Sequence, residues 1–329
     1  MKALLIFGLC LAVLVGGFVY FRPKDEPAPG TPLQQISQEI PSFDKNLQLL
    51  VDDGGKIREL SLSDYLAGVL LSEMSADFPS EALKAQAVAA RTFALKKAMT
   101  DKHTQAHVCT NTACCQGWVA LQSCPKAAQD AAVEAVAATD GLVLCYDGQL
   151  IEATYFSCSG GRTEAAVAVW GEDLPYLRSV ESPGEEQAPR YRETLCIEKK
   201  DFQKILLAAH PEANLSGSPE GWFGAVSYTG GGGIDSIFVG GTVLQGTELR
   251  KLFSLRSTDI TIEATPTQIF LTTQGFGHRV GMSQYGAKAM ADAGKDFQSI
   301  LLHYYCQTQL RRLLPADNAP SKPLYLQEK

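Results

Sequence analysis

The chain has 329 residues, a formal net charge of −7 and a pI of about 5.3. Its lysines and arginines are scattered, so it lacks the basic surface that a nucleic-acid backbone requires, and we expect no nucleic-acid partner. It also has no Gly-Lys-Ser/Thr loop that would cradle phosphates, so the sequence implies no nucleotide or redox cofactor.

The first part of the chain has the pattern of a membrane anchor followed by a tether. Residues 3–21 carry no charge and are long enough to span a bilayer. No small-residue cleavage site follows Tyr20, which favours an uncleaved anchor over a removed signal peptide. We predict a transmembrane anchor over 1–22, a flexible Pro-, Gln- and Ser-rich linker over 23–42, a single domain over 43–317 and a C-terminal tail over 318–329.

Helix and strand signals follow one another along the domain. Asp53-Gly54-Gly55 separates two apolar runs and predicts a hairpin, and Ser63 can cap a helix that begins at Asp64. Pro79 suits the first turn of an Ala-rich helix. Further signals predict helices over 126–138 and 247–252, helices capped by Ser283 and Asp296 that end near 293 and 305, strands over 142–146, 150–156, 260–263 and 268–272, and strand-like pieces over 221–241. The sum is an α+β domain of mixed helices and antiparallel hairpins.

Glu73 is the first candidate for catalysis. Its spacing puts it on the same helix face as Leu66, Val69 and Leu70, which point to the core. Partial desolvation on such a face raises the pKa of a carboxyl, which is what a general acid needs. The pattern alone favours a structural glutamate bonded to a neighbouring arginine, since ion-pair networks also perturb carboxyls. Met74 and the loop after it can leave one side of the carboxyl open to a groove.

Glu73 has no second carboxylate at a fixed sequence spacing. A hydrolytic glycosidase usually needs two carboxylates. A lytic transglycosylase needs one, which protonates the glycosidic oxygen and then takes the proton of the sugar's own 6-hydroxyl as that oxygen attacks the anomeric carbon. A distant Asp or Glu stays an alternative.

A Cys/His-rich loop follows the Ala-rich helix. His103, Cys109, Cys114 and Cys115 combine the thiolate and imidazole ligands that suit zinc. Disulfide bonds among the eight cysteines outside the predicted anchor are the alternative, and both interpretations stay open. Four protein ligands would make the zinc structural, because a catalytic zinc keeps an open position.

Two further loops carry polar side chains. Ser159 and Thr163 lie in a small-residue loop after a strand, where a tight turn is the simpler interpretation. His278, Ser283 and Gln284 lie in a Gly-framed loop that leads to a helix N-terminus, whose free N–H groups can bind sugar hydroxyls or acetamido groups. Close packing of those glycines against a sheet is the alternative.

Taken together, five segments resemble the stage II sporulation protein D family and its relatives, the amidase-enhancer proteins. They occur in family order and span nearly the whole domain. They are GVLLSEMSADFPSEALKAQAVAARTFAL (68–95), CCQGW (114–118), ATYFSCSGGRTEAAVAVWGEDLPYLRSVESP (153–183), LRKLFSLRST (249–258) and GFGHRVGMSQYGAKAMADAGKDFQSILLHYY (275–305).

The resemblance implies a membrane-anchored lytic transglycosylase that acts outside the cytoplasm on peptide-free peptidoglycan strands during engulfment of the forespore. It implies partnership with stage II sporulation proteins P and M. By the resemblance, Glu73 is the catalytic glutamate, and Arg91 supports the site or the substrate. We predict Gln86, Ser159, Thr163, His278, Ser283 and Gln284 as groove residues. Some members hold zinc in the loop matching 103–115, where this chain has Cys114 in place of an expected histidine. The alternative function is a non-catalytic glycan-binding enhancer of a cell-wall amidase.

Overall fold

The computed structural model describes residues 41–100 and 102–314. The predicted anchor (1–22), nearly all of the predicted linker and the predicted tail (318–329) lie outside the described residues, and the domain boundaries stay predictions. Within the described part of the chain, no helix is both long and apolar enough to cross a membrane. The described residues belong to one compact unit that begins at Pro41.

Nine α-helices and two short 3-10 helices occur among the described residues. The α-helices are Phe43–Asn46 (α1), Leu62–Glu73 (α2), Ser80–Ala98 (α3), Lys126–Ala138 (α4), Ala166–Trp170 (α5), Lys199–Ala209 (α6), Gly246–Leu252 (α7), Gln284–Asp292 (α8) and Phe297–Tyr304 (α9). The 3-10 helices are Leu121–Ser123 and Pro219–Gly221.

The strands of the described residues form small sheets. They are Gln48–Asp53 (β1), Lys56–Ser61 (β2), Val108–Cys109 (β3), Leu142–Tyr146 (β4), Gln149–Leu150 (β5), Tyr155–Phe156 (β6), Arg192–Glu198 (β7), Phe223–Tyr228 (β8), Ile234–Val239 (β9), Thr242–Gln245 (β10), Asp259–Ala264 (β11), Gln268–Gln274 (β12), Met282–Ser283 (β13) and Gln309–Arg312 (β14). The sheet orders are β2-β1-β3, β14-β4-β5, β13-β6, β10-β9-β8 and β11-β12-β7. Pairing is antiparallel except for β1 with β3 and β13 with β6, so the predicted α+β class is confirmed.

Two local predictions need correction. The cap of α2 is Ser61 and not Ser63, because the Ser61 hydroxyl accepts the Asp64 N–H and the helix begins two residues earlier. The hairpin expected over 142–156 is short, since β4 pairs with β5 only at its turn. The chain then leaves that sheet, and Tyr155–Phe156 pairs in parallel with Met282–Ser283, about 130 residues later in the sequence.

The first hydrophobic cluster surrounds α3. This helix packs against α2, α4, α8 and α9. Its small residues Ala87, Ala90 and Ala94 are fully buried, so the neighbouring helices approach closely. The end of α2 and the start of α8 therefore come together at this cluster, and they bring Glu73 and Gln284 to one place.

The second hydrophobic cluster is built by β7 to β12 with α6 and α7. Phe202 of α6 lies at its centre and is fully buried. Its ring stacks on Phe253 with centroids 4.7 Å apart and contacts the rings of Trp222 and Phe223. The sequence patterns did not predict β7 or α6, which begin this part of the domain.

The two ends of the described domain meet at one turn. The Asp140 carboxylate accepts hydrogen bonds from the Ser42 hydroxyl at 2.8 Å and the Asp44 N–H at 3.0 Å. The Leu313 N–H donates to the carbonyl of Gly141, the next residue, at 2.8 Å. The first helix and the last strand are therefore fixed to the same site in the fold.

Candidate functional site

A pocket of about 610 Å³ opens where α2 ends and α8 begins. That volume is in the range of natural ligand sites. Its wall is made by Glu73, Phe93, residues 112–116, residues 154–157, residues 276–278 and Gln284. Segments far apart in the sequence thus converge on one cavity, and Glu73 is its one carboxylate among the described residues.

Glu73 is the last residue of α2 and is partly buried. One carboxylate oxygen, Oε1, accepts the Gly117 N–H at 3.0 Å. Desolvation raises the pKa of Glu73, while the Gly117 N–H and the Gln284 amide oppose the rise. No cation forms an ion pair with Glu73 in the described part of the chain. The arrangement favours a carboxyl that holds its proton to higher pH than an exposed one.

The absence of a side chain at Gly117 lets its N–H approach Glu73 closely. A Cβ at position 117 would lie 2.5 Å from the Ser72 hydroxyl oxygen and 3.1 Å from Glu73 Oε1. A side chain at position 117 would therefore require the Ser72 hydroxyl to rotate and the Glu73 carboxylate to shift.

Gln284 begins α8 and is only 6% exposed. Its amide lies near enough to Glu73 to lower the pKa of that carboxyl. Its Nε2 nevertheless has no partner of hydrogen-bonding geometry among the described residues. A buried donor without an acceptor is costly, so this amide is suited to bind a ligand in the pocket.

His278 lines the pocket as a neutral side chain. Its Nδ1 accepts the Val280 N–H at 3.1 Å, which leaves the hydrogen on Nε2. Its ring lies between those of Phe156 and Trp170, with centroids 5.6 Å and 5.3 Å away. Burial, and then the charge of Arg250, lower the pKa of His278 to about 4. A base this weak is suited to shaping the wall and not to accepting a proton near neutral pH.

The four predicted metal ligands come together beside the pocket. The ligand atoms of His103, Cys109, Cys114 and Cys115 all lie within 4.8 Å of one another. The His103 Nε2 lies 3.3 Å from the Cys115 sulfur and 3.7 Å from the Cys114 sulfur. All eight cysteines of the described residues are free thiols. Three thiols and one imidazole at these separations fit a tetrahedral zinc ion with bonds of about 2.0–2.3 Å.

Three consecutive residues link this cluster to the pocket. Cys115 belongs to the Cys/His cluster, Gln116 donates through Nε2 to the Tyr155 hydroxyl at 2.7 Å, and Gly117 donates to Glu73. A ligand that holds Cys115 in place would therefore also hold the donors that bond to Tyr155 and Glu73.

Three of the predicted groove residues have structural partners instead. The Ser159 hydroxyl donates to Glu185 at 2.9 Å, and the Thr163 hydroxyl accepts the Val180 N–H at 2.8 Å. Ser283 caps α8. All three residues are fully buried and none lines the pocket, and their predicted contact with substrate stays a prediction.

Gln86 and Arg91 of α3 are also enclosed. Gln86 is fully buried, and neither atom of its amide has a partner among the described residues. The Arg91 guanidinium is fully buried and contacts the Asp44 carboxylate at 2.5 Å, while it also donates to the Leu142 carbonyl at 3.1 Å. Neither side chain lines the pocket, and the predicted contact of each with substrate stays a prediction. The cation of Arg91 balances Asp44 and not Glu73.

Sequence reasoning missed Gln116 and Tyr155 as pocket residues. Both lie inside segments that carry the family resemblance, so their segments were visible but their roles were not. Tyr155 follows an alternating strand pattern, and nothing in that pattern shows that the strand leaves its hairpin to face Glu73.

Comparisons with known proteins identify the family of the chain. A family model described as Stage II sporulation protein matches residues 52–146. Stage II sporulation protein D of Bacillus subtilis is 35% identical over 264 residues, which is 77% of this chain and 75% of that protein. The protein of the same name from Bacillus amyloliquefaciens is 36% identical over 259 residues, 76% of this chain and 74% of that protein. An amidase enhancer of Bacillus subtilis is 30% identical over 298 residues, 74% of this chain and 40% of that protein. The chain belongs to the stage II sporulation protein D family.

Proposed function

We propose that this protein is a peptidoglycan lytic transglycosylase that cleaves peptide-free glycan strands to 1,6-anhydromuramoyl products. The observation that supports it is the single carboxyl of the pocket, Glu73, whose pKa desolvation raises. A hydrolase of the usual kind needs a second carboxylate at the scissile bond. A pocket wall with one carboxylate among the described residues suits a reaction that uses the same group twice.

The reaction follows from the properties of Glu73. In the first step the protonated carboxyl gives its proton to the glycosidic oxygen, and the bond from that oxygen to the anomeric carbon breaks. In the second step the 6-hydroxyl oxygen of the same sugar bonds to the anomeric carbon, and its proton goes to the Glu73 carboxylate. The acid is restored and no water is consumed. Because Glu73 must begin protonated, its raised pKa favours activity at neutral pH.

The rest of the pocket suits a sugar chain. The Gln284 amide lies beside Glu73, and one of its two N–H groups can face that carboxyl while the other binds a sugar oxygen. Trp170 is not part of the pocket wall, but its ring lies 5.3 Å from that of the wall residue His278 and the residue is 42% exposed, which is unusual for so large an apolar side chain. An exposed indole can pack against the apolar face of a sugar ring while its neighbours bind the hydroxyls.

We assign the Cys/His cluster to a structural zinc ion, held by His103, Cys109, Cys114 and Cys115. Burial raises the pKa of the Cys115 thiol to about 12, so this group ionises only beside a compensating cation. With four protein ligands the metal would supply no open position for catalysis. Its contribution would be to fix residues 115–117, and through them the groups that contact Gln116 and Gly117.

The proposed setting is sporulation, on the basis of the family. We propose a single-pass anchor in the cell membrane, with the domain outside the cytoplasm in the septal or intermembrane space. Stage II sporulation proteins P and M are the proposed partners. An alternative function, favoured by the similarity to an amidase enhancer, is a glycan-binding protein that enhances a cell-wall amidase without cleaving glycan itself.

One experiment separates the two functions. The full chain in mild detergent, wild type and Glu73→Gln, is incubated with peptide-free glycan strands, and 1,6-anhydromuramoyl ends are measured by mass spectrometry. We expect wild-type product and a loss of about 10³-fold in Glu73→Gln, because the amide cannot donate the proton. Full activity in Glu73→Gln would show that another group is the acid.

The controls concern binding and metal. Both proteins are expected to bind the strands with similar affinity and to have the same thermal midpoint, since Gln preserves the shape of Glu. A wild-type protein that binds strands but makes no anhydro ends would support the enhancer function. Metal analysis of the same preparation is expected to give one zinc per chain, and a metal-free protein with oxidised cysteines would exclude the zinc site.

A further inference from the structure

Tyr155 is a polar residue of the pocket that the reaction described above does not use. It begins the short strand β6, is partly accessible and lines the same wall as Glu73. Its hydroxyl oxygen accepts a hydrogen bond from Gln116 Nε2 at 2.7 Å. The remaining question is where its own O–H hydrogen points.

The direction of that hydrogen is fixed by the neighbours of Gln116. The Gln116 amide is buried, with the Ala90 carbonyl 3.4 Å from Nε2 and the Tyr65 hydroxyl 3.2 Å from Oε1. A carbonyl only accepts, so the NH₂ group must face Ala90, and the same group then donates to Tyr155. Tyr65 in turn donates to Oε1. The Tyr155 oxygen is thus an acceptor from Gln116, and its own hydrogen is directed elsewhere.

The Tyr155 O–H has no acceptor among the described residues, although it lies in a pocket wall. Burial, and then the negative charge of Glu73, raise the pKa of Tyr155 well above its usual value, so the group stays protonated. A protonated hydroxyl that accepts one hydrogen bond is a better donor for the next, since chains of hydrogen bonds polarise one another. The pocket therefore holds an oriented donor that lacks an acceptor until a ligand enters.

We propose that Tyr155 is a second catalytic residue, which donates a hydrogen bond to an oxygen of the sugar whose glycosidic bond Glu73 protonates. The inference rests on the proposed function and adds to it the group that orients the sugar. A lytic transglycosylase must hold the sugar so that its 6-hydroxyl reaches its own anomeric carbon, and one acid cannot both donate the proton and fix the ring. Orientation of this kind contributes to kcat because it removes unproductive poses.

The residues around Tyr155 explain how its position is coupled to that of Glu73. Gln116 holds the Tyr155 hydroxyl and the next residue, Gly117, holds the Glu73 carboxyl. Since both contacts come from adjacent positions of one loop, the donor and the acid keep a fixed separation. A loop of this kind provides the pre-organisation that an active site requires.

The test is Tyr155→Phe with Tyr304→Phe as its matched control. Tyr304 is a fully buried tyrosine of α9 whose hydroxyl bonds Ser182 at 2.6 Å, and it does not line the pocket. Both changes remove one hydroxyl that has a hydrogen-bond partner. We expect Tyr155→Phe to lower kcat for anhydromuramoyl formation by 10-fold or more, with a much smaller change in KM. Tyr304→Phe is expected to lower the thermal midpoint by a similar amount and to keep kcat. Equal kcat in Tyr155→Phe and the wild type would overturn the proposal.

A second variant keeps the Tyr155 ring and hydroxyl in place. Gln116→Glu is nearly isosteric, but its carboxylate accepts the Tyr155 O–H and so reverses that hydrogen bond. We expect a loss of kcat comparable to that of Tyr155→Phe, and wild-type kcat would contradict the proposal.

Failure of the transglycosylase function would be visible separately. If the wild type makes no anhydro ends, the dissociation constant for peptide-free strands is compared between the wild type and Tyr155→Phe. Weaker binding by the variant, with unchanged binding by Tyr304→Phe, would support Tyr155 as a glycan contact. Equal binding by all three proteins would overturn that contact as well.

Discussion

The two hydrophobic clusters of this domain are built by different means. The first, around α3, packs small alanines at close range and encloses polar side chains such as Arg91 and Gln116. The second, around Phe202, fills its interior with aromatic rings and contributes none of the predicted site residues. The pocket thus lies beside the cluster that buries polar groups.

That difference connects stability with function. A buried polar group is costly unless it is paired, and each pair fixes the geometry of the elements that it joins. In the first cluster such pairs link α2, α3 and the 115–117 loop, which carry or surround Glu73. The second cluster is filled mainly by apolar side chains, and its polar pairs, such as that of His210 with Glu248, lie at its edge and away from the pocket. Four substitutions test this comparison.

The largest expected effect is on the buried ion pair of the first cluster. Asp44→Asn leaves the fully buried Arg91 guanidinium without its counter-ion, which we expect to lower the free energy of unfolding by about 3–5 kcal/mol. Thermal or denaturant unfolding measures the loss. The control is Asp130→Asn, which breaks an exposed pair with Lys126 and should change the free energy by less than about 0.5 kcal/mol. Equal losses of unfolding free energy in the two variants would show that the buried ion pair stabilises the protein no more than the exposed one.

The next largest effect is on the pH dependence of stability, which one histidine in each region shifts in opposite directions. His278, beside the pocket, has a folded pKa of about 4 against 6.5 for the ordinary group. The unfolded chain therefore takes up this proton first, and stability is lost as pH falls from about 6.5 toward 4. We therefore compare the free energy of unfolding of His278→Gln with that of the wild type at two pH values. The difference should be about 2 kcal/mol more favourable to the variant at pH 5 than at pH 7.5.

The second region supplies the contrast for that measurement. Hydrogen bonds from His210 to Glu248 and then to Glu212 raise the pKa of His210. His210 therefore contributes its whole stabilisation below pH 6.5, the ordinary pKa of histidine, and this stabilisation is lost as pH rises through the folded pKa. In thermal unfolding, His210→Gln should lower the midpoint more at pH 5 than at pH 7.5. The same sign of pH dependence in both variants would refute the comparison.

The smallest effect is expected in the aromatic stack. Phe202→Leu removes contacts with Phe253 and Trp222 and should lower the free energy of unfolding by about 1–2 kcal/mol. Activity per folded molecule should not change, because no residue of this stack lines the pocket. A loss of kcat without unfolding would mean that the second cluster positions the active site.

The sequence predicted one helix from its Ala-rich composition and two others from their caps. The helix over Lys126–Ala138 and the caps Ser283 and Asp296 are confirmed. The strand β7 was missed because one of its seven residues is buried, which leaves no alternation to detect. Helix α6 follows it directly and has no side-chain cap, so no start signal separates the two.

Only those site residues whose role depends on one short segment could be predicted from the sequence. Glu73 stood out because a carboxyl on an apolar helix face is desolvated wherever that face packs. Arg91 pairs with Asp44, which lies 47 residues earlier, and the sequence around Arg91 does not show which acidic residue is its partner. The direction of the Tyr155 hydrogen depends on Ala90 and Tyr65, so it exists only in the folded chain.

The meeting of the first helix and the last strand has a consequence for protein engineering. Ser42 and Leu313 bond to the adjacent residues Asp140 and Gly141, so a short Gly/Ser peptide can join the two ends of the described domain. New ends can then be opened at the exposed Asp53-Gly54 turn, where a Cβ on Gly54 would contact nothing within 4 Å. Such a circular permutant would keep both hydrophobic clusters and the pocket, and would move the chain ends to the β1–β2 turn.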